Sequence, residues 1–226
     1  MLTGGAGVRA MTRAFEELFA IGQAFHDVPM AGRTDAAILA HAAAAHHIPA
    51  GSPALGQFPD VYLRYLATEL AEPGPRKGVM PGVRPLLDQL ARRPDVHLSL
   101  LTGNYEGAAR LKLEYFDLWH YFAGGAFGDG AADRNGLVAK ALARVAAAGG
   151  PHVQPADAVV IGDTPLDVAC AAAGGARCIA VGTGNYSADQ LLAAGADVVF
   201  EDLSDTARVI SSLKSEVRGQ TSRPGA

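Results

Sequence analysis

The spacing of the apolar residues changes abruptly at a Pro/Gly-rich segment, residues 72–78, and this change limits what the chain can fold into. Before the segment, apolar residues recur at helical intervals in three stretches: 9–25, 34–47 and 60–72. We therefore predict that the first third of the chain is entirely helical. We place a domain boundary at residues 72–78 because proline and glycine interrupt regular structure.

After this boundary, short apolar runs alternate with helical patterns. The runs cover residues 96–101, 158–161, 178–181 and 198–200. The helical patterns cover residues 104–115, 137–148, 165–174, 187–194 and 204–214. Alternation of this kind is typical of an α/β fold in which helices cover a parallel sheet.

Composition narrows the class of protein. The 226 residues are 49% hydrophobic and carry a formal net charge of -4, which argues against a nucleic-acid groove. No signal segment opens the chain, and no run approaches the roughly 18 apolar residues that a spanning helix needs. Cys170 and Cys178 lie in apolar stretches and are expected to be buried thiols. We expect a cytoplasmic protein whose partners are small molecules, with no nucleic acid and no membrane.

Ligands of open parallel sheets bind where the strands end, which directs attention to Asp163. Asp167 follows four residues later, in the first turn of the next predicted helix, so both carboxylates can approach one point. Such a sparse pair of oxygen ligands suits Mg²⁺, which keeps waters and shares phosphate oxygens. Alternatively, Asp167 completes a capping box with Thr164, with Pro165 at the first helical position. The sequence leaves both interpretations open.

A second strand end carries Thr102, Gly103 and Asn104. The Thr102 hydroxyl and the free N–H groups at the start of the next helix could bind a phosphate, or Asn104 could simply cap that helix. Chemistry on a phosphoryl group also needs a cation to neutralise the developing charge. Arg134 in a loop-like stretch is the preferred candidate, and Lys140 inside a helical pattern is the alternative.

Three other patterns carry weaker signals. Residues 182–186 resemble part of a dinucleotide-binding fingerprint but lack its third glycine, and Ser187 with Gln190 forms a predicted capping box. Three histidines lie on one Ala-rich stretch without a nearby acidic or cysteine partner: His41, His46 and His47. An exposed helix face is the favoured interpretation of these histidines, over a zinc site.

Taken in order, Leu-Leu-Thr-Gly-Asn at 100–104, a basic residue, and Gly-Asp-Thr-Pro-Leu-Asp at 162–167 resemble three motifs of the haloacid dehalogenase-like (HAD) hydrolases. The resemblance covers residues 79–210 and implies a three-layer, Rossmann-like parallel sheet with a separate helical cap domain. It also implies that Thr102 binds a phosphoryl oxygen, that Arg134 stabilises it, and that the acids at the end of the last motif, Asp163 and Asp167, hold Mg²⁺.

The resemblance further implies a division of the chain into four parts. Residues 1–9 look like the remnant of a loop that follows the family's first motif, 10–74 like the cap and 75–217 like the core, and 218–226 form a disordered tail. At the start of a cap helix, Arg33 is a candidate substrate contact, together with Gly103 and Asn104 of the core. Thr34 and Asp35 beside it can also serve as helix caps.

The family's first motif, Asp-x-Asp-Gly-Thr, does not occur in the sequence. In relatives its first aspartate attacks phosphorus, and its strand lies between the strands that end at Thr102 and Asp163. We expect those two strands to stand roughly 9.6 Å apart, twice the normal spacing. We also expect the natural chain to be about 10 to 20 residues longer, enough for one strand and its turn.

The resemblance thus implies a Mg²⁺-dependent phosphatase that hydrolyses small phosphomonoesters through an aspartyl-phosphate intermediate, acting as a monomer or homodimer. The chain as written is expected to be inactive because it lacks the nucleophile. A non-catalytic binding or scaffold relative is one alternative. A haloacid dehalogenase is another, but relatives with that activity need no Mg²⁺, so the pair Asp163 and Asp167 counts against it.

Overall fold

The computed structural model describes residues 1–213, so the predicted tail at 218–226 and the last residues of the predicted core lie outside the described part. The described helices and strands, in chain order, are α1 (Ala6–Phe19), α2 (Asp35–Ala45), α3 (Pro53–Glu69), α4 (Val83–Ala91), β1 (Leu100–Leu101), α5 (Glu106–Tyr115), β2 (Gly125–Ala126), α6 (Leu137–Ala147), β3 (Val159–Gly162), α7 (Pro165–Ala173), β4 (Arg177–Val181), α8 (Ala188–Ala193), β5 (Val198–Phe200) and α9 (Thr206–Leu213). Short 3-10 turns occur at Trp119–Tyr121 and Pro155–Asp157. No helix in residues 1–213 is long and apolar enough to cross a membrane.

The first third is helical, as predicted, but its helix boundaries differ. α1 begins at Ala6, inside the segment 1–9 that we expected to be a loop, and ends at Phe19 instead of residue 25. Ala20 adopts a left-handed conformation (φ 56°) and stops the helix there. α3 begins at Pro53, seven residues before the predicted start, because proline in the first turn is compatible with a helix.

Aromatic side chains hold these helices together. Phe15 of α1 packs edge-on against Phe58 of α3 with ring centroids 6.4 Å apart, and Phe58 stacks on Tyr62 at 6.0 Å. All three are fully buried. The same apolar cluster also contains Tyr105 and Ala108, which belong to the other side of the predicted boundary. The separation of residues 10–74 as an independent cap therefore stays a prediction.

The strands form two parallel sheets. β3, β4 and β5 pair in that order, with Val160 opposite Cys178, while β1 pairs with β2, with Leu100 opposite Gly125. In the described part of the chain, no pairing joins β1 to β3. The expectation that one strand is missing between those that lead to Thr102 and Asp163 stays a prediction.

Helices α6 and α7 cover one side of the sheets and share a core with them. Leu137 and Val138 of α6, Val168 of α7 and Val160 of β3 belong to one buried cluster, against which Leu101 of β1 packs. Cys170 and Cys178 are buried free thiols in this cluster, as expected. The α/β class with parallel sheets is confirmed.

Helix α4 and strand β2 were not predicted, and the length of strand β1 was overestimated. The predicted strand 96–101 is regular only over Leu100–Leu101. α4 was not predicted. It contains Pro85, a residue that disrupts the interior of a helix but is accepted in the first turn. β2 has two residues, Gly125–Ala126, too few for a periodic pattern.

Candidate active site

Asp167 is a capping residue. β3 ends at Gly162 and α7 begins at Pro165, and in the turn between them Asp167 Oδ2 accepts the backbone N–H groups of Thr164 (3.0 Å) and Asp163 (3.2 Å). The Thr164 hydroxyl accepts the Asp167 N–H in return at 3.3 Å, which completes the capping box. The capping interpretation of Asp167 is confirmed.

The other oxygen of Asp167 pairs with Arg134. Arg134 Nη2 lies 2.6 Å from Asp167 Oδ1, and the two side chains are only 12% and 7% exposed. Arg134 Nη1 also donates to Gly32 O at 3.3 Å. Arg134 Nε is buried and has no hydrogen-bond partner within the described residues. An orphaned cationic donor at such a position suits an anionic ligand.

Arg134 lines a cavity of about 220 Å³ with Thr102, Gly103, Asn104 and Arg33, so the structure brings five of the seven predicted site residues into one wall. Lys112 also lines the cavity. Among the described residues that line the cavity, Asp35 is the one with a carboxylate. The wall carries three cationic side chains and one carboxylate; when Asp167, which is paired with Arg134, is counted as well, the formal charge is +1, which favours anions. Lys140, the alternative cation, is not part of this wall.

Asp163 and Asp167 are not in the cavity wall. Asp167 adjoins the cavity through its ion pair with Arg134, and the Asp163 N–H donates to Asp167 Oδ2. Burial raises the pKa of the Asp163 carboxyl first, and the neighbouring Asp167 raises it further, while the Met1 amino group and Arg134 oppose the shift. Two crowded carboxylates of this kind favour a nearby cation.

The residues present fit a Mg²⁺ ion held by few protein ligands. Asp163 is the carboxylate that could contact it directly, because both oxygens of Asp167 already accept donors. Within residues 1–213, no group of three or more His, Cys, Asp or Glu side chains could hold a metal. Mg²⁺ commonly uses one or two carboxylates and takes its other oxygens from water and phosphate.

The start of α5 differs from the expectation of free N–H groups. Tyr105 N donates to Asp35 Oδ2 at 2.9 Å, and Glu106 N donates to Asp129 Oδ2 at 3.0 Å. Two of the protein's own carboxylates thus occupy the helix N-terminus, where the dipole favours negative charge. An exogenous phosphate at those two N–H groups is therefore excluded. The predicted capping role of Asn104 is also wrong, since the N-cap residue is Tyr105.

Asn104 instead links Thr102 to a buried lysine. Its N–H donates to Thr102 Oγ1 at 3.2 Å, and its Oδ1 accepts Lys112 Nζ at 2.6 Å. The Thr102 hydroxyl can still donate its proton to a ligand. Lys112 was missed in the sequence, although it lies four residues after Ala108 on the apolar face of α5. A lysine on the apolar face of a helix is rarely buried without a partner, and this position could have identified it as a functional candidate.

The segment before α2 is bound tightly to the same loops. Asp35 N donates to Gly103 O at 2.7 Å, and the Thr34 hydroxyl donates to Ala131 O at 2.7 Å while it caps α2 by accepting Ala37 N. A Cβ on Gly103 would lie 2.4 Å from Arg33 O, so only glycine allows this approach. The predicted cap therefore contacts the core next to Thr102.

The segment 182–186, considered above as a dinucleotide fragment, also adjoins the site. A Cβ on Gly184 would lie 2.8 Å from Asp163 Oδ2, so the glycine lets this loop approach the carboxylate. The expected capping box of Ser187 and Gln190 is confirmed at the start of α8.

Comparison with known proteins gives concordant results. The profile of the family described as HAD-hydrolase-like matches residues 134–206. A phosphoglycolate phosphatase from Rhodospirillum rubrum is 33% identical over 141 residues, which are 62% of this chain and 56% of the relative. The chain thus spans little more than half the length of this curated relative.

Solved structures resemble the whole described fold. A hydrolase from Pseudomonas syringae aligns with a TM-score of 0.65 and 18% identity, covering 93% of this chain and 92% of its own. A predicted phosphoglycolate phosphatase from Haemophilus somnus aligns with a TM-score of 0.65 and 15% identity, covering 92% of each chain. The motif order, the parallel α/β fold and these matches agree: over residues 134–206 the chain is similar to the HAD-hydrolase-like family, and its whole fold is similar to that of the solved hydrolases.

Proposed function

We propose that this chain belongs to a Mg²⁺-dependent phosphatase of small phosphomonoesters, with the phosphoryl group bound in the cavity beside Thr102 and Arg134. The observation that carries the proposal is that Arg134, whose buried Nε has no hydrogen-bond partner within the described residues, lines a cavity together with Thr102, and that this cavity keeps a formal charge of +1 when Asp167 is counted. A phosphate dianion supplies the acceptor that this donor lacks and the charge that the cavity favours.

Each residue would have a defined task. The Thr102 hydroxyl donates to a phosphoryl oxygen, and the guanidinium of Arg134 stabilises charge that develops on the phosphoryl group during transfer. The Arg134–Asp167 ion pair holds the guanidinium in place, and the capping box holds Asp167. Preorganised groups of this kind need little rearrangement when the charge develops.

Asp163 would hold the metal, with Asp167 acting through Arg134 and through water. The Asp163 carboxylate would be the direct protein ligand of Mg²⁺, and the ion would supply positive charge that stabilises the phosphoryl group. The raised pKa of Asp163 is consistent with a site that prefers a cation, because burial and the neighbouring carboxylate both disfavour an unpaired anion.

The nucleophile is proposed to lie upstream of the given sequence, on a strand between β1 and β3. Residues 1–226 contain no Asp-x-Asp-Gly-Thr, and β1 and β3 are unpaired with each other. The groups that line the cavity can position and stabilise a phosphoryl group, but a carboxylate must attack it to form the covalent intermediate.

The relative from Rhodospirillum rubrum bears the name phosphoglycolate phosphatase, which makes phosphoglycolate the first substrate to test. The small volume of the cavity, about 220 Å³, also favours a substrate with few atoms.

The decisive experiment compares the 226-residue chain with a version extended upstream through an Asp-x-Asp-Gly-Thr strand. Hydrolysis of p-nitrophenyl phosphate and of phosphoglycolate is measured with and without Mg²⁺, after circular dichroism has shown that both proteins are folded. We expect Mg²⁺-dependent turnover from the extended version alone, and its loss when the first upstream aspartate is changed to asparagine. Equal turnover by the two versions would place the nucleophile within residues 1–226 and contradict the assignment.

A further inference from the structure

We propose that Asp35, the first residue of α2, is a positioning residue for the phosphoryl-binding loop, residues 102–104. In this proposal the loop keeps its binding conformation because the Asp35 carboxylate holds the residue that follows it. The inference rests on the proposed function, which assigns this loop to a phosphoryl group. Asp35 itself lies outside the motifs at 100–104 and 162–167.

Two hydrogen bonds from Asp35 enclose Asn104. The Asp35 N–H donates to Gly103 O at 2.7 Å, and Asp35 Oδ2 accepts the Tyr105 N–H at 2.9 Å. Asp35 is only 3% exposed, and its contact with Tyr105 is buried. A buried N–H that loses its acceptor is costly, so the position of the Tyr105 backbone depends on the carboxylate.

Lys112 holds the same loop from the other direction. Its Nζ donates to Asn104 Oδ1 at 2.6 Å, and the Asn104 N–H donates to Thr102 Oγ1 at 3.2 Å. Residues 103, 104 and 105 are thus each held by a group from outside the loop. In this arrangement the Thr102 hydroxyl accepts from its own loop, and its proton stays available to a ligand.

The charge of Asp35 is unfavourable for the anion that the cavity is proposed to bind. Burial raises the pKa of the Asp35 carboxyl, whereas Lys112 and the Tyr105 N–H oppose the shift. Asp35 nevertheless lies in the cavity wall, where a carboxylate repels a phosphoryl group. Its position in the first turn of α2 suits the helix dipole, but that does not explain the contact with Tyr105.

The segment that carries Asp35 also contacts the loop that carries Arg134. The Thr34 hydroxyl donates to Ala131 O at 2.7 Å, and Arg134 Nη1 donates to Gly32 O at 3.3 Å. Segment 32–35 therefore joins the loops that supply Thr102 and Arg134, the two groups assigned to the phosphoryl group. Asp35 is the residue of this segment whose side chain contacts the backbone next to the Thr102 loop.

The possible roles of Asp35 predict different effects of Asp35→Ala. If Asp35 contributes only its charge, phosphate binding cannot weaken: the formal charge of the cavity rises by one unit, or stays at +1 if Lys112 then releases its proton. If Asp35 only stabilises the helices, the free energy of unfolding falls but the folded protein binds phosphate as before. If Asp35 positions the loop, the affinity falls with the population of the binding conformation.

The test measures binding of inorganic phosphate to the 226-residue chain by isothermal titration calorimetry, at one pH and one Mg²⁺ concentration. We expect Asp35→Ala to bind about tenfold more weakly, as for a loop that adopts its binding conformation about a tenth of the time. Asp35→Asn keeps an oxygen for the Tyr105 N–H and loses the charge, so it should bind phosphate at least as tightly as the wild type. Recovery by this neutral isostere separates position from charge.

Asp129→Ala is the matched control. Asp129 Oδ2 accepts the Glu106 N–H at 3.0 Å, the next donor at the start of α5, but Asp129 is exposed and is not among the described residues that line the cavity. This variant should leave the phosphate affinity unchanged. Amide hydrogen exchange supplies a second measurement: the Tyr105 N–H should exchange faster in Asp35→Ala, but not in Asp35→Asn or Asp129→Ala.

Circular dichroism first establishes that each variant is folded. If Asp35→Ala is not, Asp35→Ser takes its place, because serine keeps a polar group in the first turn of α2 while its shorter side chain does not reach the Tyr105 N–H. The same loss of phosphate affinity and the same faster exchange are expected.

The outcomes separate this inference from the proposed function. Phosphate affinity of Asp35→Ala at or above that of the wild type, or binding by Asp35→Asn as weak as that by Asp35→Ala, overturns the positioning role and leaves the phosphatase proposal standing. If the wild type does not bind phosphate, the phosphoryl site itself is wrong and both proposals fail.

Discussion

Arg134 and Asp167 are joined by an ion pair of 2.6 Å although they lie on different elements and are almost completely buried. The ion pair connects the capping box at the N-terminus of α7 to the cavity that Thr102 lines. Asp167 Oδ1 contacts Arg134 and Asp167 Oδ2 accepts the Thr164 N–H, so the start of α7 holds the guanidinium beside the cavity.

Removing the Arg134 charge should therefore damage both stability and anion binding. Arg134→Met leaves Asp167 buried without its cation, which typically costs about 3–5 kcal/mol. Urea unfolding measures the loss, and titration with inorganic phosphate measures binding. The control is Lys140→Met, because Lys140 is outside the cavity wall. A larger effect of Lys140→Met on phosphate binding would favour the alternative cation.

Asp163 should be required for the effect of Mg²⁺ on stability. Mg²⁺ raises the free energy of unfolding of a protein that binds it only when folded, by about 1.4 kcal/mol at ten times the dissociation constant. We expect this increase for the 226-residue chain and not for Asp163→Asn. Asp157→Asn, an exposed aspartate before β3, is the matched control. Thermal unfolding with and without Mg²⁺ decides the matter, and an undiminished shift in Asp163→Asn would exclude a metal at this carboxylate.

Gly103→Ala should separate the segment before α2 from the core. The new Cβ would lie 2.4 Å from Arg33 O, a backbone atom that cannot move aside without breaking the Asp35 N to Gly103 O hydrogen bond. We expect a loss of about 1–3 kcal/mol in urea unfolding and weaker phosphate binding. Gly56→Ala in α3 is the control, since nothing lies within 4 Å of its Cβ position and alanine favours a helix. Equal stability of the two variants would contradict the close contact.

Glu69 should make the stability of the helical region depend on pH. Burial alone tends to raise the pKa of Glu69, but hydrogen bonds from Arg9 (2.6 Å) and Arg13 (2.9 Å) outweigh it, so the pKa lies below 4.5. The folded state therefore binds fewer protons than the unfolded state below pH 4.5, and the stabilisation present above that pH is lost as the pH falls.

Glu69→Gln should accordingly cost about 1–2 kcal/mol at pH 7 and progressively less below pH 4.5, a modest value because both arginines are partly exposed. Denaturant midpoints at pH 7 and pH 3.5 measure the difference, with exposed Glu72→Gln as the control. A cost that is the same at both pH values would contradict a lowered pKa of Glu69 in the folded state.

Local patterns in the sequence determined the features that depend on neighbours a few residues apart. The change of apolar period at residues 72–78 predicted helices before the boundary and strand–helix alternation after it. The capping box of Thr164 and Asp167 spans four residues, and spacing alone predicted it correctly. The motif order likewise identified Thr102 and Arg134, which the structure places in one cavity wall.

Tertiary structure alone decided which groups meet at the site. Asp35 binds the start of α5 from 70 residues away and Asp129 from 23, and they occupy N–H groups that looked free in the sequence. The contact of Arg134 with Asp167 and the placement of β1 and β3 in two separate sheets depend equally on chain topology. Periodicity reports which face of an element is apolar, whereas the partner that covers this face is set by the packing of segments distant in sequence.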